Sequence, residues 1–92
     1  MLNWFVYILR CSDGSLYTGI TTGIKRRIEE HNSSPLGAKY TRGRRPVVLL
    51  YEEMLASRSA ALKKEHVIKR LSKSQKILLV EETSNLSQKS LE

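Results

Sequence analysis

The sequence predicts a single α+β domain built from three short strands and three helices. Runs of apolar, β-branched and aromatic residues cover positions 4–9, 16–21 and 47–51, which is typical of strands. A helical pattern covers residues 24–32 and 57–71, and a capping box predicts a last helix over residues 72–82. Because 92 residues are too few to build two cores, any functional site must share one core.

The composition favours a polyanionic partner. Sixteen Lys and Arg residues against nine Asp and Glu residues give a net charge of +7, which favours nucleic acid. The single cysteine, Cys11, excludes an internal disulfide and a cysteine-based zinc cluster. The sequence shows no export signal and no apolar run near the ~20 residues that span a bilayer, so we expect a cytoplasmic protein without a membrane partner.

The first two strands are predicted to form an antiparallel hairpin. The continuous apolar run of residues 4–9 suits a central strand that is covered on both faces. Residues 12–15, Ser-Asp-Gly-Ser, follow it, and Gly14 can adopt a positive φ without steric cost. A two-residue turn would place Tyr7 and Tyr17 on opposite faces, whereas a three-residue loop with a bulge would place them on one face. The sequence leaves both registers open.

Helical phase divides the first helix, residues 24–32, into two faces, and Thr21 or Thr22 is expected to cap it. At about 100° per residue, Arg26, Glu29 and Glu30 point away from the sheet. The predicted inward face holds Ile24, Arg27, Ile28 and His31. Arg26 is therefore expected to be solvated, whereas Arg27 is expected to meet an anionic group.

A basic segment follows the break at residues 33–37. Residues 25–45 contain seven basic and two acidic residues, a density that predicts contact with a phosphate backbone. A solubilising loop is the structural alternative. The predicted nucleic-acid contacts are Lys39, Tyr40, Arg42, Arg44 and Arg45.

Glu65, on the helix predicted over residues 57–71, is the only acid between Glu53 and Glu81. It lies roughly 40° from Ala61 and thus at the margin of the apolar stripe. A carboxylate beside the core in a basic field can hold a divalent cation or a guanidinium. The alternative is an i,i+4 pair with Lys69, worth only ~0.3–0.5 kcal/mol.

The last helix is predicted to begin at a capping box, Ser72-Lys73-Ser74-Gln75, and to end near residue 82. Residues 83–92 are polar and serine-rich, which predicts a disordered tail. The predicted domain therefore covers residues 1–82.

The candidate residues match the needs of phosphodiester hydrolysis. A site must neutralise the phosphate, activate water and stabilise the leaving oxygen. Arg27 can neutralise the phosphate, Glu65 can hold Mg²⁺, and Tyr7, Tyr17 or His31 can act as the base. Each also has a structural alternative: a buried strand tyrosine with a satisfied hydroxyl, or a side chain at a helix edge.

Five features in order resemble the GIY-YIG nuclease family over residues 3–79. Val6-Tyr7-Ile8 and Tyr17-Thr18-Gly19 stand where its two tripeptides lie, although the first lacks the glycine and the second has Thr18 for isoleucine. Arg27, His31 and Glu65 match its helix motif and its metal-binding glutamate. The resemblance implies a three-stranded antiparallel sheet flanked by helices, one divalent cation, and both tyrosines at one site. It therefore favours the bulged hairpin.

The leading hypothesis is an endonuclease that uses Mg²⁺ or Mn²⁺ to cleave DNA, including branched or damaged DNA. A water molecule would lose its proton toward Tyr17, with help from Tyr7 or His31, while Arg27 stabilises the transition state and Glu65 holds the metal. No small-molecule cofactor is expected. The competing hypotheses are a non-catalytic nucleic-acid-binding module and a protein-interaction adaptor.

Overall fold

The structure, a computed structural model, describes residues 3–90 and contains one antiparallel sheet with strand order β2-β1-β3. This confirms the predicted three-stranded antiparallel sheet flanked by helices. None of the helices within residues 3–90 is long and apolar enough to cross a membrane. In chain order the elements are β1 (Trp4–Arg10), β2 (Leu16–Thr21), α1 (Ile24–Ser33), α2 (Lys39–Arg42), β3 (Val48–Leu55), α3 (Arg58–Lys69) and α4 (Lys73–Ser90).

Strand β1 is the centre of the fold, as its continuous apolar run predicts. Its residues 6–9 are at most 1% exposed, because the sheet is covered on both faces. On one face Val6 and Ile8 pack with Ile68 of α3, and on the other Tyr7 and Leu9 pack against α1. The sheet thus divides the predicted single core into two apolar layers.

The β1–β2 hairpin has the three-residue loop. Its register pairs Leu9 with Tyr17 and Tyr7 with Gly19. The Cys11 amide donates to the Ser15 carbonyl at 2.9 Å, and Gly14 has a φ of 83°, which few residues other than glycine adopt. Because side chains alternate along a strand, this register places both tyrosines on the face covered by α1.

Two helix starts follow the predictions and one does not. Ser57 caps α3 by accepting from the Ala60 amide at 3.1 Å. The capping box of α4 is confirmed, since the amides and side chains of Ser72 and Gln75 bond reciprocally at 2.8 and 3.2 Å. The predicted threonine cap of α1 is wrong: Gly23 is the N-cap, and the Thr21 hydroxyl instead accepts from the Gly23 amide at 3.1 Å.

Helix α4 extends to Ser90, past the end predicted near residue 82. The helix therefore continues past its predicted end, and the disordered tail over residues 83–92 stays a prediction. The sequence from Lys73 to Ser90 contains neither Gly nor Pro, the two residues that most disfavour a helix interior. The domain boundary at residue 82 stays a prediction, and residues 91–92 of the predicted tail lie outside the described residues.

Replacement of Thr18 by valine is expected to stabilise the protein. Thr18 is 4% exposed, and its Oγ1 has no hydrogen-bond partner within the described part of the chain. An unsatisfied buried hydroxyl costs about 1–3 kcal/mol, so Thr18→Val should raise the free energy of unfolding by about 1 kcal/mol. Urea denaturation measures this free energy. Thr21→Val is the control, because it loses the hydrogen bonds of the Thr21 hydroxyl and should be destabilised. A lower stability for Thr18→Val would contradict the assignment.

Candidate active site

Three predicted site residues form one aromatic cluster between the sheet and α1. The ring centroids of Tyr7 and Tyr17 lie 6.3 Å apart, and His31 lies 5.9 Å from the first and 5.2 Å from the second. The tyrosines come from paired strands, whereas His31 comes from the buried face of α1. The three-residue loop and the phase of α1 together create this cluster.

Gly19 makes room for the Tyr7 side chain. A Cβ atom at Gly19 would lie 2.6 Å from the Tyr7 hydroxyl oxygen and 3.1 Å from the Tyr17 ring. The two tyrosines can therefore approach each other only because the residue paired with Tyr7 has no side chain. The space that the missing side chain leaves is filled by the Tyr7 hydroxyl.

His31 is fully buried and bonded at both ring nitrogens. Its Nε2 lies 2.8 Å from the Tyr7 hydroxyl, and its Nδ1 lies 2.9 Å from the Thr41 hydroxyl. Thr41, on α2, is also fully buried. Sequence reasoning gave no role to Thr41, because a single threonine in a basic loop carries no periodic or motif signal of its own.

Burial keeps Tyr7 and His31 uncharged at pH 7. It lowers the pKa of His31 to about 4, with the positive charge of Arg27 acting in the same direction. Burial also raises the pKa of Tyr7 to about 12, reinforced by Tyr17 and opposed by Arg27. His31 is therefore an uncharged hydrogen-bonding group here, and Tyr7 keeps its proton.

Arg27 lies on the inward side of α1, as helical phase predicts. Its side chain is 23% exposed, whereas that of Arg26 is 61% exposed. The Arg27 guanidinium donates to Glu30 and to the Leu36 carbonyl, both at 2.8 Å. Glu30 therefore does not point away as predicted, because a side chain one turn along the helix can fold back to its i,i+3 partner.

Glu65 lies on α3, and its negative charge reaches Tyr7. Its side chain is 18% exposed, and its negative charge contributes to the raised pKa of Tyr7. The Lys69 ammonium lies 3.5 Å from its carboxylate, so the predicted i,i+4 alternative is also present. Glu65 thus combines a surface ion pair with a position close enough to act on Tyr7.

The donor set fits a metal held by one protein carboxylate. Among residues 3–90 no three His, Cys, Asp or Glu side chains are grouped so as to bind a metal ion. Mg²⁺ usually keeps several waters and binds through one or two carboxylates together with substrate phosphates. Glu65 therefore suits an ion completed by water and phosphate oxygens.

The arginines predicted to bind nucleic acid hold their own loop together. Arg42 donates to the Pro35 and Gly37 carbonyls. Arg45 donates to the His31 and Ser34 carbonyls at the end of α1. These bonds stabilise the loop over the site, and contact of the loop with nucleic acid stays a prediction.

Tyr40 and Arg44 extend the aromatic cluster toward solvent. The Tyr40 ring stacks on Tyr17 at 5.9 Å, and the Arg44 guanidinium lies 4.0 Å above the Tyr40 ring. Arg44 is tied to the hairpin loop by an ion pair with Asp13 at 2.9 Å. Lys39 and Tyr40 are exposed, so the stack formed by Tyr17, Tyr40 and Arg44 ends at the protein surface.

A cavity of about 380 Å³ lies on the opposite side of the hairpin, against α4. None of the predicted site residues lines it, and its walls are mainly apolar side chains such as Leu16, Ile77 and Val80. Arg10, Lys73 and Glu81 also line it, but no side chain of the tyrosine and histidine cluster does. The clustered polar side chains, rather than this cavity, therefore define the candidate site.

Replacement of Gly19 by alanine is expected to displace Tyr7. The added methyl group would overlap the Tyr7 hydroxyl. We therefore expect the free energy of unfolding to fall by about 1–3 kcal/mol and the Tyr7–His31 hydrogen bond to break. Denaturation and the NMR signals of the His31 ring measure both effects. Gly43→Ala is the matched control, because a Cβ there meets nothing within 4 Å. Equal stabilities of the two variants would contradict the expectation.

Stability is expected to fall as the pH drops from 6.5 toward 4. His31 has a folded pKa of about 4 against an ordinary 6.5, so the unfolded chain binds more protons in this window. The native state should lose about 2–3 kcal/mol across it. Denaturation at several pH values measures the slope. The dependence of the free energy of unfolding on pH should flatten in His31→Gln. It should persist in the control His66→Gln, because His66 is exposed. A dependence that persists in both variants would refute the assignment to His31.

Comparison with known proteins agrees with this geometry. A family model described as the GIY-YIG catalytic domain matches residues 3–77. The UPF0213 protein DP2720 of Desulfotalea psychrophila is 62% identical over 77 residues, which is 84% of this chain and 70% of that protein. The UPF0213 protein SH2523 of Staphylococcus haemolyticus is 51% identical over 82 residues, 89% of this chain and 99% of that protein.

Two solution NMR structures share the fold. The UPF0213 protein BH0048 of Bacillus halodurans is 48% identical with a TM-score of 0.55, over 86% of this chain and 83% of that one. The protein EF2693 of E. faecalis is 40% identical with a TM-score of 0.59, over 91% of this chain and 88% of that one. With the family model matching most of its length, the chain belongs to the GIY-YIG nuclease family, which supports a nuclease-type function.

Proposed function

We propose that this protein is a divalent-metal-dependent endonuclease that hydrolyses phosphodiester bonds in DNA, including branched or damaged DNA. The observation that carries the proposal is the cluster of Tyr7, Tyr17 and His31, on which the charges of Arg27 and Glu65 both act. The cluster supplies two hydroxyls and an imidazole, and a cation and a carboxylate act on it electrostatically. Nucleic acid is the polyanion that the net charge of +7 favours.

Arg27 is assigned to the phosphate. A guanidinium has five N–H donors, and the bonds to Glu30 and the Leu36 carbonyl both come from one terminal nitrogen. The remaining donors suit a phosphate oxygen, whose charge grows as the reaction proceeds. The bond to Glu30 keeps the guanidinium beside the cluster while DNA binds.

Glu65 is assigned to the metal ion, Mg²⁺ or Mn²⁺. When bound, such an ion polarises the phosphate and stabilises the charge on the leaving oxygen. Glu65 would hold it at the edge of the cluster, where Tyr7 already experiences the carboxylate charge. Lys69 is exposed, so its i,i+4 ion pair with Glu65 costs little to break.

Tyr17 is assigned to the attacking water. Its side chain is half-buried, and its hydroxyl makes no hydrogen bond to the described residues, whereas the Tyr7 hydroxyl is bound to His31. Acting as the phenolate, Tyr17 takes a proton from the water, the water oxygen bonds to phosphorus, and the bond from phosphorus to one ester oxygen breaks, with its electron pair left on that oxygen. Tyr7 assists by orienting the water, and His31 acts through its hydrogen bond to Tyr7.

The loop of residues 39–45 is assigned to the DNA backbone. Lys39 and Tyr40 are exposed beside the cluster, and a guanidinium that donates to a neutral carbonyl keeps its full charge. Arg42 and Arg45 therefore maintain a positive surface next to the site while they hold the loop in place, whereas Arg44 shares its charge with Asp13. A phosphate backbone crossing this surface would reach Tyr17.

Loss of Glu65 or Arg27 is expected to abolish most cleavage. Because each supplies a charge to the transition state, Glu65→Gln and Arg27→Ala should slow cleavage of branched or duplex DNA in Mg²⁺ by about 10²–10³-fold. Gel assays on purified protein measure the rates. Arg26→Ala and Glu29→Gln are the matched controls, since both residues lie on the exposed side of α1.

The outcome also separates the competing function. If Glu65→Gln cuts as fast as the unmodified protein, its role is wrong. If the unmodified protein binds DNA in a salt-dependent way but cuts none with Mg²⁺ or Mn²⁺, it is a non-catalytic nucleic-acid-binding module on the same fold. If it binds no DNA at low salt, the proposal fails altogether.

A further inference from the structure

Thr41 is a fully buried polar residue at the rear of the cluster that the proposed mechanism does not use. Its hydroxyl lies 2.9 Å from His31 Nδ1, and the same oxygen donates to the Ala38 carbonyl at 2.9 Å. A hydroxyl has one proton and two acceptor lone pairs. Since its proton is directed to Ala38, Thr41 must accept from His31.

The proton positions along the chain of hydrogen bonds follow from this. If Thr41 accepts, His31 carries its hydrogen on Nδ1. A neutral imidazole has only one N–H, so Nε2 presents a lone pair. The Tyr7 hydroxyl, 2.8 Å from Nε2, must therefore be the donor. The order of donation is Tyr7 to His31, His31 to Thr41, and Thr41 to Ala38.

This order of donation determines which further hydrogen bonds the Tyr7 hydroxyl can make. Its single proton is used by His31, so the oxygen can only accept further hydrogen bonds, from the nearby Arg27 guanidinium or from a molecule in the site. In the other tautomer His31 would donate to Tyr7, and the Tyr7 proton would be free to point into the site. An acceptor orients a water molecule by one of its hydrogens and leaves the water oxygen free for attack, whereas a donor would occupy that oxygen.

We propose that Thr41 is a positioning residue that fixes His31 in the Nδ1–H tautomer and thereby makes the Tyr7 hydroxyl an acceptor for the attacking water. The consequence for cleavage rests on the proposed function. The tautomer itself is a property of the protein without substrate or metal. The two parts can therefore be tested separately.

Packing explains why Thr41 holds this position. Gly37 lets the loop approach the end of α1 closely, since a Cβ there would lie 2.7 Å from the Glu30 carbonyl oxygen. Arg45 donates to the His31 carbonyl and fixes the same region from the other side. With α1 and the loop held together, the Thr41 hydroxyl has little freedom to turn away from the ring.

The first test reads the tautomer directly. Long-range ¹H–¹⁵N correlation spectra of the full-length protein at pH 7, without DNA or metal, distinguish Nδ1–H from Nε2–H. We expect Nδ1–H at His31. Thr41→Val keeps the shape but removes the acceptor, so its spectrum should move toward Nε2–H, and Thr41→Ser should restore the original pattern. Thr18→Val, a buried threonine on the other face of the sheet, should leave the His31 signals unchanged.

The second test measures cleavage. Partners that orient an active-site histidine through its second nitrogen typically contribute about 10–100-fold, so Thr41→Val should lower kcat by this factor with little change in KM. Thr41→Ser should recover most of the rate. A variant that merely loosened the fold would lower stability without changing the tautomer.

The outcomes separate the two proposals. An Nε2–H or charged His31 in the unmodified protein overturns the inference, even if Thr41→Val does not fold. So does an unchanged tautomer in a folded Thr41→Val. If the tautomers behave as expected but the unmodified protein cuts no DNA, the control of His31 by Thr41 is supported and the proposed nuclease function fails.

Discussion

The pairing of Tyr7 with Gly19 across the β1–β2 hairpin is the constraint on which the site depends. A shift of one residue would turn every side chain of β2 to the other face, because strand side chains alternate. Tyr17 would then no longer face α1. A side chain at the position that pairs with Tyr7 would occupy the space of the Tyr7 hydroxyl. The positive φ of Gly14 in the three-residue loop thus governs a geometry formed several residues away.

Burial then determines the chemistry of the cluster. In water an imidazole titrates near neutral pH, but in the layer between the sheet and α1 desolvation and Arg27 keep His31 uncharged. A neutral ring has one donor and one acceptor, so its two hydrogen bonds must run in a single direction. The absence of charge is therefore what allows a threonine on α2 to influence a tyrosine on β1 through His31.

Local patterns predicted the three strands, the helices α1, α3 and α4, and the inward facing of Arg27 and His31, but not the short helix α2. Runs of apolar residues located the strands, and helical phase separated Arg27 from Arg26. The sequence left the hairpin register open because its loop permits both lengths. Thr41 and the inward turn of Glu30 were missed for a different reason: both depend on where a loop or a long side chain settles after the elements pack, and neither has a period in the sequence. The continuation of the helix past residue 82 was missed because the sequence there has no apolar period.

The basic composition has two physical roles that do not exclude each other. Arg42 and Arg45 donate to backbone carbonyls, which are neutral, so these bonds fix the loop without neutralising the guanidinium charge. Arg44 differs, because its ion pair with Asp13 removes part of its field at long range. The charge of Arg45 also acts inward and helps to lower the pKa of His31. The positive loop that would attract DNA therefore also helps to keep the histidine neutral.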